Sequence, residues 1–156
     1  CVVWDKAQDK IEIELQDLRT LQEEKNSLIQ KLDLEMPKRM EIMALGAVLH
    51  SFYNGIENIF QRIAKEIDGG LKMSPSWHMD LLEAMSAPND IRKAVISPAL
   101  KPILEEYLTF RHTFRNIYTF RIEWNKMKPL ILKMDQTFEQ FEKEIRTFFA
   151  AGKKEG

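Results

Sequence analysis

Cysteine, net charge, glycine-rich loops and long apolar runs are all scarce in this chain, and each scarcity removes a class of function. The only cysteine is Cys1, so no intrachain disulfide can form, and a reducing, cytoplasmic setting is expected. Twenty-three Lys and Arg against 24 Asp and Glu leave a formal charge of -1, so nucleic acid would have to be bound by a local patch. The longest charge-free apolar run, Ile42 to Ile56, is 15 residues and contains His50 and Asn54. That is short of the roughly 20 residues a membrane span needs, and no signal peptide is visible at the start. The opening "CVVWDKAQDK" lacks an initiator methionine, and its first few residues are given no weight.

Several catalytic signatures are missing too. There is no GxxxxGK[ST] or GxGxxG loop for phosphates and no GxSxG elbow for an acyl-transfer serine. His50, His78 and His112 stand far from one another in sequence, without the i, i+3 or i+4 pairing of a helical metal site, so no metal is expected. No stretch alternates with the period of two that marks a strand.

What remains is helical periodicity over a chain of one-domain length, 44% hydrophobic and 30% charged. From Asp5 to about Leu34, Ile11, Leu15, Leu18, Leu21, Leu28 and Leu32 keep to one helical face. Pro37 opens a second helix with Leu45, Leu49, Phe52, Ile56, Ile59, Ile63 and Ile67 in steps of three and four, closed by Gly69-Gly70. Residues 69–97 carry the turn compositions "GGLKMSPS", "SAPND" and "ISP" around one short helical piece, "WHMDLLEAM". Ser97 and Pro98 suit the start of a third main helix running to about Ile122. A last helix is expected from Trp124 to Phe149, with residues 150–156 a disordered tail. The expected fold is all-α: residues 1–156 as one up-and-down bundle of four to five helices.

The segment "FRHTFRNIY", Phe110 to Tyr118, sets two arginines, a histidine, an asparagine and a tyrosine in a greasy helix. At about 100° per residue, Arg111, Arg115 and Tyr118 fall within roughly 60° of one another, beside an apolar sector of Ile103, Tyr107, Phe110, Phe114 and Ile117. His112 and Asn116 lie on the next sector round. This places Arg111 on the flank of the core stripe, where it bears phosphate and not packing. The plain alternative is that the arginines snorkel at the edge of the core and Tyr118 packs its ring. The chemical alternative is an anion site, since guanidiniums one turn apart can hold a phosphate and Tyr118 adds a hydroxyl.

The residues "RHTFRNIY" resemble the motif of the HEPN superfamily, and within it the HepT-like ribonuclease toxins: Arg, a polar residue, three variable positions, His, one variable position and Tyr. Arg111 matches the arginine, His112 the polar residue, Asn116 the histidine and Tyr118 the tyrosine. The segments "LHSFYNGIENIFQRIAKEIDGG", "WHMDLLEAM" and "FRIEWNKMKPL" are similar as well, so the resemblance covers about Lys10 to Phe149. It implies a symmetric homodimer whose two motifs share one cleft, and RNA cleavage without metal or other cofactor. In such a cleft the arginine stabilises the pentacoordinate phosphate and the histidine moves the proton of the 2′-hydroxyl. It also implies a minimal nucleotidyltransferase antitoxin that modifies the tyrosine, here Tyr118, with AMP. On this reading the catalytic candidates are Arg111, His112, Asn116 and Tyr118, and the phosphate ligands are Arg111 and Arg115.

This chain departs from the motif at Asn116, whose amide can orient a phosphate but cannot act as a general base near neutral pH. Three readings stay open: a variant ribonuclease using His112, a protein that binds RNA or nucleotide without cutting, and a catalytically idle partner kept for its contacts. A scaffold alone gives no reason for the polar cluster.

Overall fold

In the computed structural model, residues 2–71 and 74–155 are described, with the side chains of all but 119 and 153–155. They form helix α1 (Val2–Ile29), α2 (Arg39–Glu66), the short α3 (Trp77–Met85), α4 (Lys101–Asn116), a 3-10 turn (Thr119–Arg121), α5 (Trp124–Leu132) and α6 (Met134–Glu155). No strand occurs among the described residues, and none of the helices is long and apolar enough to cross a membrane.

Helix α2 is the central post, because its apolar positions make one broad buried face: Leu45, Leu49, Phe52, Tyr53, Ile56, Ile59, Phe60 and Ile63 are all buried. Helix α1 lays Ala7, Ile11, Leu15 and Leu18 along one side of it, α4 and the short α3 cover other sides, and α6 closes on α1. The helix stops where Gly69 turns to φ 85°, a left-handed conformation open to glycine, and the Gly70 amide returns to the Ala64 carbonyl at 3.0 Å.

The connection between α3 and α4 is organised by one buried guanidinium. Arg92 Nε and Nη2 each donate to Asp68 at 2.8 Å, and its remaining N–H groups reach the carbonyls of Ala84, Ala87 and Lys93. Five donors are thereby used to close a loop without regular structure of its own.

Helix α1 ends at Ile29, short of the expected Leu34, and four boundaries in the second half of the chain also differ from the sequence expectation, each for a local reason. Helix α4 starts late because Pro98 and Pro102 lack amides; Ser97 instead caps a preceding turn, its Oγ accepting from Leu100 N at 3.2 Å. It ends at Asn116 and not Ile122, since Asn116 Nδ2 bonds the His112 carbonyl at 2.7 Å and Ile117 is extended, φ −123° and ψ 158°. The expected last helix is two: Lys133 leaves helical geometry behind Pro129, and its carbonyl accepts from both Thr137 N and Thr137 Oγ1 to start α6. The described residues therefore form a bundle of six α-helices. Residues 150–156 were expected to be disordered; Gly156 lies outside the described residues, and α6 continues to Glu155, with Trp4 directly against Gly152 and stacked on Phe148, ring centroids 5.0 Å apart. The same contact packs Trp4, among the discounted first residues, against the core.

Arg92→Ala should leave Asp68 partly buried without its partner and release the connection. A loss of about 3 kcal/mol is expected in urea unfolding, with Arg92→Lys recovering little because a point charge cannot serve both carboxylate and carbonyls.

Candidate functional site

On α2, His50, Tyr53, Asn54 and Glu57 recur at intervals of three and four and so face one neighbour, α4. Opposite them the buried stripe of α4 is Leu100, Leu104, Tyr107, Leu108 and Arg111. This overturns the flank position expected for Arg111. The core-facing side lies roughly 80° round from the sector centred on Phe110, because Leu104 and Leu108 pull the helix inward on that side. Arg111 enters the core at the lower end of this stripe, its side chain only 5% exposed.

A buried guanidinium has to be paired, and this one is. Arg111 Nη1 donates to Glu57 Oε1 at 2.9 Å and to Asn54 Oδ1 at 2.7 Å. The guanidinium also stands over the Tyr53 ring, 5.6 Å from its centroid. Glu57 is equally buried and uses its other oxygen on His78 Nδ1 of α3, at 2.7 Å. Arg111 Nη2 lies 2.8 Å from the same Nδ1. One ring nitrogen cannot donate to a carboxylate and accept from a guanidinium in the same plane. The carboxylate is the stronger claimant, so the network assigns Nδ1–H to Glu57 and leaves Nε2 as the ring's acceptor. Guanidinium and imidazole are then held together through their shared carboxylate. The Trp77 ring lies against the imidazole, 3.7 Å between centroids with the planes tilted by 31°, while the His78 side chain stays 28% exposed.

Three buried atoms near this centre lack hydrogen-bond partners: Arg111 Nε, the Tyr53 hydroxyl and His50 Nδ1. Burial, helped by Glu57, pushes the Tyr53 phenol well above its ordinary range, so it stays protonated. Burial and the charges of Arg111 and Arg115 hold the His50 imidazole below its ordinary 6.5. Its ring packs on Phe114, which in turn needs Gly46: a Cβ there would come within 2.8 Å of the Phe114 ring.

The other motif residues lie outside. His112, Arg115 and Asn116 are exposed, and neither Arg115 nor Arg121 makes an ion pair among the described residues. Asn116 is a helix-end residue, its amide spent on the His112 carbonyl. Tyr118, 72% exposed, stacks on Phe120, 60% exposed, with centroids 5.4 Å apart and planes 11° from parallel; Arg121 lies over the Phe120 ring at 5.7 Å. Beside this tip a groove of about 720 Å³ runs between α4 and α5, lined by Phe110, Phe114, Ile117, Leu130 and Arg121. The expected phosphate clamp of Arg111 and Arg115 is not formed within one chain, since one guanidinium is buried and the other exposed. No three His, Cys, Asp or Glu among the described residues gather as a metal site.

Residues 44–151 match the family described as HepT-like protein. The chain belongs to this family. No curated protein and no solved structure matches it significantly. The family resemblance read from "RHTFRNIY" is thus shown over most of the chain, while Asn54, Glu57, His78, Phe120 and Arg121 of this HepT-like protein were not anticipated. Asn54 and Glu57 had a signal, being hydrophilic within the apolar ladder of α2. His78 had none, lying 33 residues from Arg111 in sequence.

Two outcomes follow for this HepT-like protein. Arg111→Ala should cost about 3–5 kcal/mol in chemical unfolding by stranding Glu57, and adding Glu57→Gln should restore part of it. His50 favours its neutral form in the fold, so the unfolded chain takes up more protons as pH falls through 6.5 and stability declines on that side. His50→Gln should flatten the decline in urea midpoints measured between about pH 7.5 and pH 5.

Proposed function

We propose that this HepT-like protein is the toxin of a toxin–antitoxin pair and acts on RNA as a metal-independent endoribonuclease, working as a homodimer. The observation that carries the reading is the tip of α4, where Arg115 and Arg121, free of ion pairs among the described residues, flank the exposed Tyr118–Phe120 stack. Cations track a phosphodiester backbone and aromatic faces stack unpaired bases, a combination suited to single-stranded RNA. It overcomes locally what a net charge of -1 denies globally. The half-buried face of Phe110, Phe114 and Ile117 beside the groove suits a second copy, which would set two such tips across one cleft.

The proposed partner is a minimal nucleotidyltransferase that transfers AMP to Tyr118. The phenol is accessible to another protein's active site, and the added phosphate would place negative charge beside Arg115 and Arg121. A second reading, a non-catalytic module that binds the nucleotidyltransferase or a nucleotide, is favoured by one observation: Asn116, at the motif's histidine position, is tied to backbone.

Sedimentation should give twice the 18.4 kDa of one chain. In chelator, the unaltered protein should cut single-stranded RNA. Replacing Arg115 and Arg121 together by Ala should weaken RNA binding about tenfold or more and lower the slope of log affinity against log salt by about 1.4. RNA left intact by the unaltered chain, with cleavage gained in Asn116→His, would establish the non-catalytic module instead.

A further inference from the structure

We infer that His78, oriented by Glu57, is the proton-transfer group of the RNA-cleaving site. The inference rests on the ribonuclease reading and supplies the base that Asn116 cannot be. Of the three histidines, His78 alone is held by a carboxylate, with Nδ1 on Glu57 Oε2 at 2.7 Å, and so has a fixed tautomer with Nε2 as acceptor. His50 packs against Phe114 with its Nδ1 buried, and no hydrogen bond orients the His112 side chain among the described residues. The His78 ring is partly open to solvent, whereas the Arg111 and Glu57 behind it are closed to it.

The surroundings are those of a phosphoryl-transfer centre. The Arg111 guanidinium, paired with Glu57, lies 2.8 Å from His78 Nδ1 and 3.4 Å from Nε2, and Arg115 follows one turn along the same helix, about 6 Å further and about 40° round. A phosphate held by Arg115 at the solvent edge of α4 therefore lies on the helix that carries the imidazole's own support. In the proposed step the 2′-hydroxyl gives its proton to His78 Nε2 as its oxygen bonds to phosphorus. The P–O5′ bond breaks, the departing 5′-oxygen takes a proton from water, and the imidazolium returns its proton to solvent. The products are a 2′,3′-cyclic phosphate and a 5′-hydroxyl, with no metal or redox partner required. Glu57 is a positioning residue in this scheme, and Arg111 positions Glu57.

The test uses the full chain, a fluorescent single-stranded RNA of mixed sequence, and chelator throughout. His78→Asn keeps an N–H for Glu57 but no base, so it should fold, shown by an unchanged helical spectrum and melting profile, and cleave about 100 to 10,000 times more slowly. His78→Ala should be equally slow, and added imidazole should restore part of its rate, a response that a purely structural histidine would not give. Cleavage by His78→Asn at the unaltered rate overturns the inference and leaves the ribonuclease reading standing, as does loss of cleavage in His112→Ala while His78→Asn stays active. A folded, inactive His78→Ala that imidazole fails to rescue also overturns it. RNA left intact by the unaltered protein brings down reading and inference together.

Discussion

The fold depends on a buried ion pair. Arg111 and Glu57 sit where α2, α3 and α4 meet, and neither charge can be left alone there without a cost of several kcal/mol. That requirement sets the register of α4 on α2, because only one helical position faces Glu57 and Asn54 together. It also fixes α3, whose His78 completes the carboxylate's bonding. Apolar contacts would tolerate a helix sliding by part of a turn; a guanidinium with two named acceptors does not. Charge burial here is a device for uniqueness as much as for stability, and it is built from Arg111 of "RHTFRNIY".

Helical periodicity made most of the bundle legible in the sequence, since Ile, Leu and Phe at steps of three and four leave little choice of fold for α1, α2 and α6. It misjudged α4 because the wheel was weighted by the aromatic residues Phe110 and Phe114, which occupy a half-buried groove wall, while Leu104 and Leu108 mark the true inward side. An arginine at the edge of a stripe is ordinarily a snorkelling residue. Arg111 is not, and the reason sits on another helix. Glu57 was readable as a carboxylate among apolar neighbours. His78 was not, because only the tertiary fold brings Trp77–Met85 against α4. The helix breaks at Asn116 and Lys133 were hidden in side-chain bonds to nearby carbonyls, which composition does not reveal.

The division of the motif between core and surface changes what each residue can contribute. Arg111 is neutralised by Glu57, so its effect on a substrate is that of an oriented dipole and not of a free cation. Arg115 and Arg121 carry the unspent charge, and they stand at the surface with aromatic faces between them in sequence. Screening at physiological ionic strength limits such charges to a reach of about 8 Å, so only a strand in contact with the α4 tip would feel them.

Asn116 shows how a motif position can change employment without disturbing the fold. Its amide closes the last turn of α4 through the His112 carbonyl, and the chain leaves at once in extended geometry toward Tyr118. A histidine at this position would reach the same carbonyl less readily, because its donor sits on a wider, stiffer ring. What the asparagine provides is therefore a sharp helix end, and that end is what carries Tyr118 away from the core, where its ring meets Phe120 and its hydroxyl is left open. If an imidazole serves this protein, the geometry of support favours one whose tautomer is already fixed over one whose orientation nothing determines. The buried pair that holds α2 to α4 would then have a second consequence: by engaging one oxygen of Glu57 it leaves the other aimed at His78, so the same carboxylate that stabilises the core also fixes the tautomer of a ring that is partly open to solvent.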